Sequence, residues 1–314
     1  MELRSGRRLR STQHQQSSPC GGGRDRISAL PDDLLLLILA RLRCIATAVR
    51  TSVLSRRWSG GLWTRLREIV FRDVPFPSLQ AALGRVDSPA VSLLEIRVPQ
   101  PQVPDYAGVQ SLMRGAARLA PDKIVLDLPW YLNRHSIEVD LSCFRRTTSI
   151  VLASRLLRIL VPAGVYFPAL KTLSLSGRVP DLNPLLSCCP CLRTLRLCSV
   201  VHDGVNLRVR SASLEELFVD RTNQRTDRVN IVAPMLKQLT MSFIATNVSI
   251  SLLVPMVEKV YWRCWYFNYD RAFGLWRLQQ VTLQTAGQLP SLEIYAGAVR
   301  PFSSSIYCIP SQNN

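Results

Sequence analysis

Apolar residues recur at an even spacing through the second half of the chain. Six units follow the order apolar-x-x-apolar-x-apolar, and they begin at Leu170, Leu192, Leu214, Leu236, Val257 and Leu278, so that successive starts lie 21 or 22 residues apart. The alternation at the end of each unit predicts a short strand that buries every second side chain. A constant period of this length is typical of a solenoid, in which stacked units share a core that no single unit could form alone.

In each unit, the residue between the last two apolar positions should point away from this core. Stacking would align these residues on one surface of a curved parallel sheet, the surface that solenoids commonly use for binding. The candidate binding face is therefore Ser174, Arg196, Phe218, Thr240, Tyr261 and Thr282. Proline stands two residues before four of the starts, at positions 168, 190, 234 and 255, where it would fix the turn into the strand.

Less regular units precede these six. Alternation predicts strands over 94–98, 124–128, 137–141 and 150–152, and the helical spacing over 109–119 predicts a helix on the opposite side of the core. One period before Leu170 falls close to Ile150, so the register should extend back at least that far. The pattern fades after Ala286, where Ile294 and Tyr295 could form a last strand.

The N-terminal part has a helical pattern instead. Pro31 is expected at the first helical position, followed by two acids that favour the positive end of the helix dipole. The helix is apolar nearly all round, so one face must be covered by its own unit and another by more of this chain or by a partner. A second helix is predicted over 44–51, and a third from Ser55, ending at Gly60-Gly61.

Two stretches of this N-terminal part resemble the F-box motif of plant F-box proteins. The first begins Asp25-Arg-Ile-Ser-x-Leu-Pro-Asp-x-Leu-Leu, and the second is Ala48-Val-Arg-Thr-Ser-Val-Leu-Ser-Arg-Arg-Trp58. The 21–22-residue units match the leucine-rich repeat. The expected fold is α+β: a basic disordered tail over 1–24, a helical F-box over 25–66, a leucine-rich-repeat solenoid over 67–300 and a frayed C-terminus over 301–314.

The resemblance implies a function for each part. In that family the F-box docks on a Skp-type adaptor of a cullin-based (SCF-type) ubiquitin ligase, and the repeats hold a protein substrate for ubiquitination. Carried over by position, the adaptor-binding residues are Leu30, Pro31, Leu34, Ile38, Leu39, Val49, Ser52, Val53, Leu54, Arg57 and Trp58. The chain would be a non-catalytic receptor. The simpler alternative for these leucines is that they only cap the solenoid.

The chain departs from the family pattern at two points. Members often have Pro after the first helix, where this chain has Arg43, and an extra residue in Ser59-Gly60-Gly61 precedes the final Leu-Trp. One inserted residue rotates a helix by about 100°. Trp63 should therefore be displaced unless the two glycines absorb the insertion as a loop. No C-terminal extension like that of many plant relatives is evident, so the last repeats are expected to be poorly capped.

The composition narrows the alternatives. The net charge of +17 fits either solubility or an acidic partner, so a non-ligase scaffold that binds an acidic protein or nucleic acid is the competing hypothesis. The arginines are spread along the chain, which disfavours nucleic acid. With no signal peptide and no long apolar run, we expect an intracellular protein of the nucleus or cytoplasm, free thiols and no membrane contact.

No constellation typical of an enzyme stands out. The three histidines have no partner at metal spacing, and Cys188, Cys189 and Cys191 precede a repeat start, where core packing explains them better than zinc does. No phosphate-binding loop or paired carboxylates are evident, so no cofactor and no metal are predicted. An aromatic and arginine cluster over 262–273 could serve either core packing or recognition.

Overall fold

A computed structural model describes residues 30–53, 56–59, 61–88, 90–99, 102, 105–128, 137–141, 144–179, 181–198, 206–245, 248–266, 278–284 and 291–298. The helices are α1 Asp32–Arg41, α2 Ile45–Arg50, α3 Arg56–Ser59, α4 Phe76–Arg85, α5 Tyr106–Leu119 and α6 Leu182–Ser187, with 3₁₀ turns at Thr51–Val53 and Leu62–Arg65. The strands are β1 Glu68–Arg72, β2 Leu93–Arg97, β3 Lys123–Asp127, β4 Ile137–Asp140, β5 Ser149–Leu160, β6 Thr172–Arg178, β7 Thr194–Cys198, β8 Asn206–Arg210, β9 Glu216–Arg225, β10 Arg228–Val232, β11 Gln238–Ala245, β12 Val248–Leu253, β13 Lys259–Tyr266, β14 Leu278–Gln284 and β15 Ser291–Ala298. The predicted tail over 1–24 and the C-terminus over 301–314 lie outside the described residues.

Most strands belong to one large parallel sheet. Its order is β1-β2-β3-β5-β6-β7-β9-β11-β13-β15, and β4 pairs with the second half of β5. A second parallel sheet has the order β14-β12-β10-β8. Parallel neighbours need a crossover between them, and each crossover here carries the chain over one shared hydrophobic core. The structure is therefore mixed, with many parallel strands and a few helices, and is consistent with a leucine-rich-repeat solenoid.

The sequence register and the observed strand pairing agree from Ile150 to Trp262. The strand residues Leu173, Leu195, Leu217, Leu239 and Val260 occupy equivalent places in neighbouring strands, and all five are buried. Each has a buried apolar partner two residues later, which is the alternation that the units predicted. The earlier, less regular units also form strands of the same sheet.

The four prolines lie in tight turns that lead into these strands. In the turn Ala233-Pro234-Met235-Leu236, the Leu236 amide donates to the Ala233 carbonyl at 3.1 Å. The turns at 168, 190 and 255 close in the same way, with the amides of Leu170, Leu192 and Val257 as donors. Proline suits the second position of such a turn because its φ is already fixed near −65°.

The sixth unit does not continue the large sheet, which corrects one prediction. Strand β14 contains Leu278, Val281 and Leu283 but pairs with β12 in the second sheet, and the strand that follows β13 in the large sheet is β15. Both sheets bury alternate apolar residues in the same core, so the apolar pattern alone does not identify the sheet. Thr282 therefore does not lie on the predicted face, whereas the suggested strand at Ile294 and Tyr295 is confirmed.

The layer opposite the large sheet changes along the chain. It consists of the helices α4 and α5 in the first repeats. Helix α5 confirms the predicted helix and buries Val109, Leu112 and Met113, whereas the sequence pattern did not predict α4. In the later repeats this layer is the second sheet, with α6 beside its edge strand β8. A crossover too short for a helix can still bury two or three alternate side chains as a strand, as β8 and β10 do.

An irregularity in β5 separates its two halves. Ala153 is the partner of Ser176, but the next pair joins Arg158 to Arg178, so β5 carries extra residues at this point. Gly177 lies opposite the bulge with φ of 135°, and a Cβ at this position would collide with the carbonyl oxygen of Ser154. The bulge redirects the second half of β5 toward β4.

Candidate functional site

An exposed apolar surface covers one side of α1. Leu34 and Ile38 lie one turn apart and are 44% and 42% exposed, and Leu37 is 62% exposed. With Leu30, Arg41 and Leu42 they line a shallow groove. Outside this N-terminal unit, the described part of the chain exposes only five large hydrophobic side chains, so the concentration on one short helix is distinctive.

The opposite side of α1 is buried in the core. Leu35 is fully buried and Leu39 is 2% exposed, and both belong to the cluster that continues through the repeats to Trp262. Trp58 of α3 and Trp63 join the same cluster. The resemblance assigned Leu39 and Trp58 to the adaptor contact, but both are part of the core in this structure. They belong to the core on which α1, with its exposed side chains, packs.

Among its described residues, the second half of the motif has two exposed apolar side chains. Val49 of α2 is at the margin of exposure, and Val53 is 85% exposed at the end of the following 3₁₀ turn. Leu54 and the side chain of Ser52 lie outside the described residues. Pro31 is exposed and precedes α1 as its N-cap, one position earlier than predicted, while Leu30 is half-buried.

Arg57 links the two halves of the motif. Its guanidinium donates to the Asp32 carboxylate from Nε at 2.9 Å and from Nη2 at 2.7 Å, and also to the carbonyl of Leu30. Arg65 approaches the same carboxylate at 3.2 Å. The hydrogen bond from Arg57 is the main reason that the pKa of Asp32 lies below its usual range. Arg57 therefore positions the start of α1, a contact that no pattern in the sequence indicated.

The two departures from the family pattern have structural explanations. Arg43 adopts the left-handed region with φ of 51°, directly after the last turn of α1, and proline could not adopt that φ. Gly61 is also left-handed, with φ of 85°, and is the N-cap of the 3₁₀ turn that contains Trp63. Trp63 is buried in the core despite the extra residue, and the Arg85 guanidinium lies 5.4 Å from its ring centroid.

The outward row of the large sheet aligns five of the six predicted face residues. Ser174, Arg196, Phe218, Thr240 and Tyr261 are consecutive partners across β6, β7, β9, β11 and β13. All five are at least partly exposed, and each lies between two buried neighbours in its own strand. The Arg196 guanidinium lies 5.8 Å from the Phe218 ring centroid, and that of Arg263 lies 5.6 Å from the Tyr261 ring centroid. This arrangement presents arginine and aromatic groups on a rigid support.

A charged cluster lies at the N-terminal end of the large sheet, and its Glu95 belongs to the same row through Val125 and Val151. Glu95 is buried and accepts from Arg97 at 2.7 Å and from Arg72 at 3.1 Å. Asp127, two residues further along the neighbouring strand, has a raised pKa because burial disfavours its charged form. Sequence reasoning missed this cluster, because its members come from three separate strands.

The cysteine-rich turn before β7 serves packing. Cys189 is buried, and burial raises the pKa of its thiol to about 12, whereas Cys191 is exposed. The late aromatic cluster is only partly described. Trp262 packs edge-on against Phe243 with centroids 5.0 Å apart, and residues 267–277 lie outside the described residues.

Comparison with known proteins gives consistent matches. A family model described as "FBD-associated F-box protein At5g56370, LRR repeats" matches residues 113–259. The chain is 26% identical over 217 residues to the putative FBD-associated F-box protein At5g50270 of Arabidopsis thaliana, covering 64% of this chain and 52% of that protein. It is 28% identical over 267 residues to the putative F-box/FBD/LRR-repeat protein At2g05300 of the same plant, covering 82% of this chain and 59% of that protein.

The match to these proteins is partial in length. The chain spans about half the length of the curated relatives it matches. No solved structure matches it significantly. Among the described residues, no helix combines the length and the apolar character that crossing a membrane would require.

Proposed function

The chain is a plant F-box/leucine-rich-repeat protein, and we propose that it is the substrate-recognition subunit of an SCF-type ubiquitin ligase in the nucleus or cytoplasm. The helical unit docks on a Skp-type adaptor and, through it, on a cullin. The repeats hold a protein substrate. The subunit performs no chemistry itself, because holding the substrate near the ubiquitin-transferring machinery raises its effective concentration there.

One observation carries this proposal. The first helix buries Leu35 and Leu39 in the core and leaves Leu34 and Ile38 exposed on its other side. A structural cap would need only the buried side. An isolated apolar surface in water is unfavourable by roughly 25 cal/mol per Å² of accessible area, so a partner that covers this side gains binding free energy.

A matched pair of substitutions tests adaptor docking. Leu34→Asp and Leu253→Asp each place a charge at a leucine that is just over 40% exposed, the first on α1 and the second on the distant strand β12. Binding of the purified chain to a purified Skp-type adaptor should weaken by about 30-fold or more for Leu34→Asp, because the charge loses water at the centre of the interface.

Leu253→Asp should bind the adaptor like the wild-type chain. Circular dichroism of both variants confirms that they remain folded. The proposal is wrong if the wild-type chain fails to bind the adaptor, or if Leu34→Asp binds it equally well.

The proposed substrate-binding surface is the outward row from Ser174 to Tyr261. Support comes from its alignment across five neighbouring strands and from the two arginine–aromatic contacts along it. Because the backbone of a continuous sheet is already ordered, binding at this row costs little further backbone freedom. Residues of this row would therefore contribute to substrate affinity without affecting the adaptor surface.

A further inference from the structure

Charge is distributed unequally between the two layers of the repeats. The helices and strands opposite the large sheet (α4, α5, α6, β8, β10, β12 and β14) contain six arginines and no aspartate or glutamate. The large sheet carries acidic residues on several strands, such as Glu95, Glu216 and Asp220. The elements of this layer therefore carry positive charge only, whereas the strands of the large sheet carry both signs.

Three of the six arginines lie together on the outer side of the second sheet. Arg208 and Arg210 are two residues apart on β8, and Arg228 lies on the neighbouring strand β10, paired with Asn206. All three side chains are exposed, while their neighbours Leu207, Val209 and Val229 face the core. None of the three forms an ion pair within the part of the chain that the structure describes.

Exposed apolar side chains adjoin these arginines. In the register of the sheet, Arg210 pairs with Val232, which pairs with Leu253, and Leu253 is 42% exposed. Met235 and Met256 occupy equivalent positions in the two turns that follow these strands, and both are about half exposed. The Ala233 amide donates to the Leu253 carbonyl at 3.1 Å and holds the two strand ends side by side.

We propose that the basic residues Arg208, Arg210 and Arg228, together with the apolar residues Leu253, Met235 and Met256, form a second protein-binding surface. We name it the second-sheet surface. Its partner is an acidic polypeptide segment that also carries apolar side chains. Arginine pairs well with carboxylates through its planar, forked donors, and exposed methionines adapt to varied apolar groups.

The chemistry of the surface favours a polypeptide over the other possible occupants. Aromatic side chains, on which single-stranded nucleic acids stack, are missing from the outward positions of β8, β10 and β12 that the structure describes. A second copy of this chain would bring arginines against arginines, which is repulsive. Carboxylates with neighbouring apolar groups match both parts of the surface at once.

Fluorescence anisotropy with defined probes tests the proposal on the full chain. The probes are a short labelled peptide in which Glu alternates with Leu, the same peptide with Ser in place of Leu, and labelled oligothymidine. The Glu-Leu peptide should bind the wild-type chain most tightly. Arg208→Ser with Arg210→Ser should weaken that binding by about tenfold or more, and Met235→Ser with Met256→Ser should also weaken it by about fivefold or more.

A matched control separates this site from general electrostatic attraction. Arg67→Ser with Arg114→Ser removes the same charge from exposed arginines elsewhere and should change the Kd by less than about twofold. The proposal is overturned if no probe binds, if the control loses as much affinity as the β8 pair, or if light scattering shows that the surface pairs two copies. It is also overturned if oligothymidine binds more tightly than the Glu-Leu peptide and the methionine substitutions do not affect the peptide.

The adaptor-surface variant makes the two proposals independent. Leu34 lies on α1, whereas the second-sheet surface is formed by β8, β10, β12 and the turns that follow β10 and β12. The Leu34→Asp variant should therefore bind the Glu-Leu peptide like the wild-type chain. A failure of adaptor binding would therefore contradict only the proposed adaptor docking. A failure of peptide binding would contradict only the proposed second-sheet surface.

Discussion

The Arg57 guanidinium lies 2.7 Å from the Asp32 carboxylate and ties the third helix to the start of the first. A residue that resemblance assigned to the adaptor contact thus has a role within the folded unit. The same arginine also donates to the carbonyl of Leu30. The exposed apolar side of α1 is held in place by this polar link on one side and by the buried Leu35 and Leu39 on the other.

The Asp32–Arg57 link should make the helical unit sensitive to acid. Because the folded-state pKa of Asp32 is lowered, its stabilising effect is present above the unfolded-state pKa of about 4 and is lost as the pH falls through the folded value. Asp32→Asn should therefore lower the Tm at pH 7, and the difference from wild type should shrink toward pH 3. Thermal unfolding at both pH values measures this. A difference that persists undiminished at pH 3 would show that the charge of Asp32 is not the cause.

Arg43 should be a site of conformational strain. Its φ of 51° suits glycine, so Arg43→Gly should raise the free energy of unfolding by about 0.5–1 kcal/mol. Arg43→Pro cannot adopt this φ and also removes the amide that donates to the Ala40 carbonyl at 3.3 Å, so it should lower the free energy by more than about 1 kcal/mol. Urea unfolding monitored by circular dichroism gives both values. Equal stabilities of the two variants would contradict the left-handed conformation.

Gly177 should tolerate no side chain. Gly177→Ala places a Cβ against the Ser154 carbonyl oxygen and forces a left-handed φ on alanine, which should cost about 1–3 kcal/mol of folding free energy. Gly84→Ala in α4 is the matched control, because its added Cβ would meet no atom within 4 Å beyond its chain neighbours and the backbone of its own helix. Alanine there should be neutral or stabilising by up to about 1 kcal/mol. Denaturant unfolding of both variants tests the bulge, and an equal effect of the two substitutions would count against it.

The two thiols near the start of β7 should differ in reactivity. Burial raises the pKa of Cys189 to about 12, so almost none of it is thiolate at pH 8, whereas Cys191 is exposed. Iodoacetamide should modify Cys191 first in the folded chain and Cys189 only after unfolding. Mass spectrometry of the digested protein measures the order. Prior labelling of Cys189 in the folded chain would show that its turn is open.

The outward row of the large sheet should determine substrate retention. Tyr261→Ala and Phe218→Ala should each reduce the substrate that co-purifies with the chain by about tenfold, because aromatic side chains dominate protein interfaces. Tyr106→Ala removes an exposed tyrosine from α5 and should have no effect. Quantitative mass spectrometry of purified complexes compares the three variants. Adaptor binding should stay unchanged in all three, and a loss caused equally by Tyr106→Ala would exclude the row as the specific surface.

Local regularities of the amino-acid sequence predict much of the fold. The spacing of Leu173, Leu195, Leu217 and Leu239 is a property of neighbouring residues, and a strand that buries alternate side chains must show it. The prolines at the second position of each turn are equally local. For this reason the repeat register, the turn positions, the approximate bounds of the early helices and five residues of the outward row could all be read from the chain.

Long-range pairing decided what the sequence could not. Strand β14 has the same apolar pattern as the strands of the large sheet, yet it lies in the second sheet. The pattern cannot identify the sheet, because both sheets bury alternate residues in one core. The leucines of α1 are similarly interchangeable in sequence, and only packing against the core assigned Leu39 to the inside and Leu34 to the surface. The chain by itself determined its repeating units and the resemblance of its N-terminal part. The tertiary structure decided which apolar side chains remain exposed, because burial depends on partners that are distant along the chain.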